Sequence, residues 1–292
     1  MAIYNLGSIN IDHFYAVPHL PSPGETLAAS GYRQGLGGKG ANQSAAAARA
    51  GARVVHIGAV GPEGGWAVER LAGWGVDVSH VARLDTPSGH AIINVDGAAE
   101  NTIVLFPGAN RAMPESLVAA ALAGAGPGDT LLLQNETAHQ ALAARIGRDR
   151  GMRVLYSAAP FDVGAVRSVL QNVSVLAVNA VEADQLCAAL GLPLDRLPVP
   201  QLLVTRGAEG AEWHDLARGE TVRQAAFKVA AVDTTGAGDT FAGYVAASLD
   251  AGLSPAAALR RAAAASAVKV TRPGTADAIP DAAEVDRFLA GV

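Results

Sequence analysis

Ser174-Val-Leu-Ala-Val-Asn179-Ala-Val-Glu182 is the stretch on which the fold turns. A short apolar run bounded by a cap signal reads as a buried strand. Asn179, followed three residues later by Glu182, has the capping-box pattern that starts a helix. The same unit recurs along the chain, with apolar runs at 130–133, 153–156 and 201–205 separated by helical stretches. Continuous apolar strands alternating with helices specify a parallel sheet covered on both faces. Polar residues follow every strand: Gln134, Asn135 and Glu136, then Ser157, then Asn179 with Glu182, then Thr205 with Gly207 and Gly210. In open α/β sheets ligands bind off the carboxyl ends of the strands, so these residues converge on one candidate site.

Upstream, residues 2–7 read as a first strand, with polar Asn10 and Asp12 just past its end. The Pro/Gly-punctuated stretch between Pro18 and Gly37 suits a strand or two. Residues 89–107 alternate apolar and polar about Asp96-Gly97, a hairpin pattern. With residues 13–36 they predict a small antiparallel sheet set apart from the main body. Between them Gly37-Gly-Lys39-Gly40-Ala-Asn42-Gln43-Ser44 opens an alanine-rich helix that stops at Gly51. It is not a Walker A loop, because Gly40 stands where that motif needs Ser or Thr. Lys39 and Asn42 offer donors to a polar ligand. Residues 53–60 add a strand and Glu63 to Gly73 a helix.

Downstream lies Asp233-Thr-Thr-Gly-Ala-Gly-Asp239-Thr-Phe-Ala-Gly243, with a helix running to about Asp250, another from Pro255 to Val270, and a turn at Thr271-Arg-Pro-Gly274. A helix start attracts anions, and small residues let a phosphate approach the backbone. On this stretch alone, Asp239 as helix cap and Asp239 as proton acceptor beside an anion hole stand level.

Half of the 292 residues are hydrophobic, enough for a sizeable core. The formal net charge of −5, with no Lys/Arg block, argues against a nucleic-acid partner. The single cysteine, Cys187, excludes an internal disulfide and suits a reducing compartment. With no apolar run of spanning length and no signal-peptide pattern, the chain reads as cytoplasmic and free of membrane.

The chain resembles the ribokinase-like, or PfkB, family of carbohydrate and nucleoside kinases. Gly37-Gly-Lys-Gly-Ala-Asn42 and Asp233-Thr-Thr-Gly-Ala-Gly-Asp239 match its two signatures in the right order. Gly7 to His13, Pro23 to Thr26, Glu100-Asn101 and Pro107 to Asn110 extend the likeness over nearly the whole length. The resemblance implies a single kinase domain, a Rossmann-like αβα body with a small β-sheet lid from about 13–36 and 89–107, and a homodimer formed through the lids. It implies ATP, Mg²⁺ and K⁺ as cofactors and a sugar, D-ribose first, as acceptor. Another sugar, a ketose or a nucleoside is the alternative.

By the same likeness Asn10, Asp12, Gly38, Lys39, Asn42 and Glu136 hold the sugar. Asp239 is the general base, and Gly236, Ala237 and Gly238 form the anion hole. Asn179 and Glu182 place Mg²⁺, through water, and the phosphates, while Thr205, Gly207 and Gly210 meet the nucleotide. Asp233, with the carbonyls of Thr235, Lys269, Arg272 and Gly274, matches a potassium site. The chain departs from the family pattern at Ser157-Ala-Ala-Pro160, at Ala180 and Val181, and at Ala278. Two other classes are weaker. A nicotinamide dehydrogenase lacks its Gly-x-Gly-x-x-Gly after the first strand, with Phe241 where a third glycine would follow Gly236-Ala-Gly238. A silent sugar sensor has no need of Asp239, Lys39 and the Asn179/Glu182 pair.

Overall fold

The computed structural model describes residues 1–98 and 100–292. In its amino-terminal half lie strands β1 (Ile3–Leu6), β2 (Asn10–Ala16), β3 (Gly31–Gly37), β4 (Val54–Val60), β5 (Val76–Arg83), β6 (Gly89–Val95) and β7 (Asn101–Phe106). Helices α1 (Lys39–Arg49), α2 (Gly65–Gly73), α3 (Ala109–Ala112) and α4 (Glu115–Ala121) complete that half. Then β8 (Thr130–Gln134), α5 (Gln140–Asp149), β9 (Arg153–Ser157), α6 (Val163–Val169), β10 (Val175–Asn179), α7 (Ala180–Leu190) and β11 (Gln201–Thr205) alternate. The chain closes with β12 (Ala211–Asp215), β13 (Glu220–Gln224), α8 (Ala237–Asp250), α9 (Pro255–Val270) and α10 (Ala282–Ala290).

The main sheet has nine strands in the order β13-β12-β11-β10-β9-β8-β1-β4-β5. Neighbours from β11 through β5 are parallel, and the β12–β13 hairpin adds an antiparallel edge. The four strands read from 130 onward all form. Alternate residues of one strand serve opposite layers, the period of two that a pleated strand imposes. Leu132 packs with α1, α8 and α9, whereas Leu131 and Leu133 pack with α5 and α6.

A second sheet, β3-β2-β6-β7, stands apart. Two expectations need correction here. The small sheet begins at Asn10, three residues before its expected start, so Asn10 and Asp12, past the end of β1 as expected, belong to β2. The sheet is also not wholly antiparallel: β2 and β6 run parallel, with β2–β3 and β6–β7 antiparallel on either side. The cause is topological. The chain returns to the main sheet for β4 and β5 between the two hairpins, so both central strands leave the body in the same direction.

Helices α1 and α8 lie against each other with almost no side-chain spacer. A Cβ on Gly243 would stand 2.5 Å from the Ala46 Cβ and 2.6 Å from the Gln43 carbonyl oxygen. Only glycine fits there, and that close approach brings the first turns of the two helices within hydrogen-bond reach.

Candidate active site

Asp239 lies in the first turn of α8, whose N-cap, Gly236, is left-handed at φ 72°. The carboxylate does not cap the helix, which overturns the capping alternative. It turns instead across the α1–α8 seam, where Oδ2 accepts a hydrogen bond from Asn42 Nδ2 at 2.9 Å and Oδ1 one from Gln43 Nε2 at 3.1 Å. Two neutral donors therefore aim an ionisable group that is only 8 % exposed. The helix start is left to other ligands. The Ala237 N–H donates to the Thr234 carbonyl at 3.1 Å, while the Gly238 N–H has no partner among the described residues.

Two hollows meet at this turn, sharing Thr205, Gly238 and Phe241. The smaller, about 220 Å³, is lined by Lys39, Ser157, Asn179, Glu182, Gly236 and Asp239. The larger, about 480 Å³, is mainly apolar and includes Gly207, Gly210, Ala226, Phe227, Val229 and Ala237 in its wall. Thus the Thr205, Gly207 and Gly210 group and the Asn179/Glu182 group fall in adjoining spaces that meet at Gly238, with Asp239 in the wall of the smaller. Asn179 and Glu182 also form a complete capping box, with Asn179 N–H donating to Glu182 Oε2 at 2.7 Å and Glu182 N–H to Asn179 Oδ1 at 2.8 Å. The capping reading of that pair holds, and the box leaves Glu182 Oε1 without a partner among the described residues.

On the small-sheet side, Asp12 is buried and its carboxylate makes no hydrogen bond among the described residues. Its carboxylate lies over Gly37, where a Cβ would come within 2.0 Å of Oδ2. Burial, then the charge of Glu136, raises its pKa to about 7 against the opposing pull of Arg33. Glu136 Oε2 accepts from the Ser8 hydroxyl and from the Lys39 N–H at 2.9 Å, which pins the Gly38–Lys39 loop to the end of β8. Asp239, in spite of burial, and then Glu136 and Glu182 hold the Lys39 ammonium above the usual lysine value. Asn10 Oδ1 accepts from Asn110 Nδ2 at 2.8 Å, and Asn42 Oδ1 is buried without a partner. An orphaned acceptor and a bare carboxylate are groups that a polyhydroxy ligand would satisfy.

Of the residues behind Asp239, the sequence marks Gln134 only as a polar strand end and gives Asn5, Gln43, Ser44 and His56 no role. Gln134 Nε2 donates to Gln43 Oε1 at 2.8 Å and to Asn5 Oδ1 at 2.9 Å, and Asn5 Nδ2 donates to Ser44 Oγ at 2.8 Å. Ser44 meets His56 Nδ1 at 2.8 Å, and His56 Nε2 meets the Gly7 carbonyl at 3.1 Å. A carbonyl only accepts, so Nε2 carries the proton. Burial pulls the His56 pKa down to about 4 and keeps the ring neutral. The chain of donors therefore has one direction, and Gln43 must present its NH₂ to Asp239. Its one legible sign was polar residues inside apolar strands, Asn5 and His56 among them.

The expected potassium ligands gather below the turn, in a different arrangement. Asp233 Oδ1 accepts from Thr235 N–H and Oδ2 from Gly274 N–H, both at 2.9 Å. Against its own partial burial, these bonds hold the Asp233 carboxyl below its ordinary value. The Lys269 carbonyl accepts from Arg272 N–H at 3.0 Å, and Arg272 turns its guanidinium to Glu284. Into this group comes the Lys269 ammonium, bonded to the Asp233 carbonyl at 2.9 Å and 4.0 Å from Asp233 Oδ1. With the carboxylate engaged and a fixed cation beside it, these residues do not fit a free potassium ion.

The profile described as pfkB family carbohydrate kinase matches residues 3–282. The chain is 34% identical over 300 residues to a ribokinase from Haemophilus influenzae, covering 97% of each. It is 29% identical over 307 residues to a deoxyribokinase from Salmonella typhi, covering 99% of each. Among solved structures it superposes on Arabidopsis thaliana ribokinase complexed with ribose and ATP with a TM-score of 0.86, 29% identity and 99% of each chain covered. The chain belongs to the pfkB family of carbohydrate kinases. It is a ribokinase-like sugar kinase.

Proposed function

We propose that this kinase transfers the γ-phosphate of ATP to D-ribose, giving ribose 5-phosphate. One observation carries the reading: Asp239, aimed by two carboxamides, lines the smaller hollow next to Gly238, which both hollows share and whose N–H is free among the described residues. The apolar larger hollow suits a nucleobase, with Thr205, Gly207 and Gly210 along the path to the phosphates. Asn10, Asp12, Asn42, Lys39, Gly38 and Glu136 receive the sugar hydroxyls. Ribose bound to the Arabidopsis relative and the Haemophilus relative's identity favour ribose.

In the reaction Asp239 accepts the proton of the attacking hydroxyl. The N–H groups at the start of α8, with Gly236 to Gly238 lacking side chains larger than methyl, receive the charge that spreads over the transferred phosphoryl oxygens. Lys39 is poised between sugar and phosphate. Glu182, with one carboxylate oxygen free at the smaller hollow, and Asn179 fit a magnesium site reached through water. Bound Mg²⁺ would supply positive charge against the phosphates. Its use of ATP and its single reduced cysteine suit the cytoplasm.

A coupled ADP-release screen of the purified chain over pentoses, 2-deoxyribose, hexoses, sugar phosphates and nucleosides tests this. Stimulation strongest with ribose is expected. Strongest stimulation by 2-deoxyribose, a hexose or a nucleoside would reassign the acceptor, and none by any of them would favour a silent sensor.

A further inference from the structure

Lys269 is a fully buried lysine with no part in the chemistry described above. Among the described residues its ammonium has one hydrogen-bond partner, the main-chain carbonyl of Asp233, at 2.9 Å. A buried cation with so few partners is costly to keep, so the place where it is aimed carries information. That place is the turn leading into Gly236-Ala237-Gly238. One helical turn earlier on the same face of α9, Ser266 Oγ donates to the Ala237 carbonyl at 3.1 Å. The two side chains, three residues apart, grip both ends of the turn that presents the anion hole.

We propose that the Lys269 ammonium is a tethered cation beneath this turn, filling the role that a free monovalent ion would otherwise have, so that the kinase works without potassium. The inference rests on the kinase reading above. A positive charge fixed under oriented N–H groups adds to their field where phosphoryl charge develops, and it needs no ion from solution. The Asp233 carboxylate, 4.0 Å away, balances it and is itself held by the Thr235 and Gly274 N–H groups. A second cation brought beside Asp233 would meet the ammonium at short range in a poorly solvated place. Lys269 is in this account a positioning residue, since it touches neither sugar nor nucleotide.

The test is a set of initial rates with saturating ATP, Mg²⁺ and sugar, in KCl, NaCl or choline chloride at equal ionic strength. The unmodified protein should turn over at the same rate in all three, within about twofold. Lys269→Met, neutral and of similar length, should lose on the order of tenfold or more in kcat in choline, with little change in sugar KM, and recover part of it in KCl. A tenfold fall of the unmodified protein's rate when choline replaces potassium would overturn the proposal, whether or not the variant folds. So would a folded Lys269→Met with unchanged kcat in choline, or with a loss equal in every salt, which would make Lys269 only a brace for the turn. Failure of the kinase reading looks different: no sugar would stimulate ADP release in any salt, and the inference would fall with it.

Discussion

Asp239 and Asp12 are both nearly buried carboxylates, yet the structure prepares them for different work. Asp239 is saturated with neutral donors on its protein side, whereas Asp12 has none. Replacing Asp239 with Asn should lower kcat by on the order of 10²–10⁴-fold while sugar binding, followed by calorimetry, persists. Near-normal turnover would remove Asp239 as the base. Gln43→Met keeps the size and loses the donor, and should cost on the order of tenfold in kcat with sugar KM nearly unchanged. For Asp12 the sign follows from its raised pKa. Below about 7 the free protein holds it protonated, so kcat/KM for the sugar should fall as pH drops through that value. The same shift bears on stability. Asp12's contribution is full below the unfolded value near 3.8; it falls as pH rises from there, because the folded state holds a proton the unfolded chain has released, and is gone above about 7. Asp12→Asn should therefore melt higher than the unmodified protein at pH 8, with sugar affinity reduced; an unchanged or lower melting point would contradict the burial assigned to Asp12.

At the scale of elements, the first turn of α8 makes the sharpest prediction. A Cβ on Gly238 would meet nothing within 4 Å, because the position opens into the hollows. Gly238→Ala should therefore fold, gaining up to roughly 1 kcal/mol from helix propensity in a thermal melt, while ATP binding weakens or kcat falls. Unchanged ATP affinity and rate would count against phosphate lying there. The βα units from β8 to β11 were legible because an apolar run closed by polar caps has few other solutions. β5 and the β12–β13 hairpin were not read, since Val76-Asp-Val-Ser-His-Val and Ala211-Glu-Trp-His-Asp mix charge into short alternations at sheet edges. The parallel pairing of β2 with β6 was equally hidden, because strand direction is set by the excursion through β4 and β5 and leaves no local mark. The signature loops disclosed Lys39, Asn42 and Asp239. They could not disclose that Gln134, legible only as a polar strand end, reaches Gln43 across 91 residues of sequence.

For the molecule as a whole, the small sheet leaves an apolar strip open to solvent. Ile103, Val104 and Leu105 on β7 are 54 %, 66 % and 58 % exposed, with Phe106 beyond them on the same strand. An uncovered edge strand of this composition invites pairing, in keeping with the proposed homodimer through the lids. Val104→Lys with Leu105→Glu should shift sedimentation from dimer to monomer, and an unmodified protein already monomeric at micromolar concentration would contradict that assembly. Phosphoryl transfer to ribose remains the claim on which the rest depends. Phosphorus NMR of the chain with Mg-ATP and D-ribose tests it most directly. A sugar phosphate monoester rising in step with ADP, and vanishing with Asp239→Asn, is the expected result. ADP accompanied only by inorganic phosphate, or no ADP at all, would contradict it.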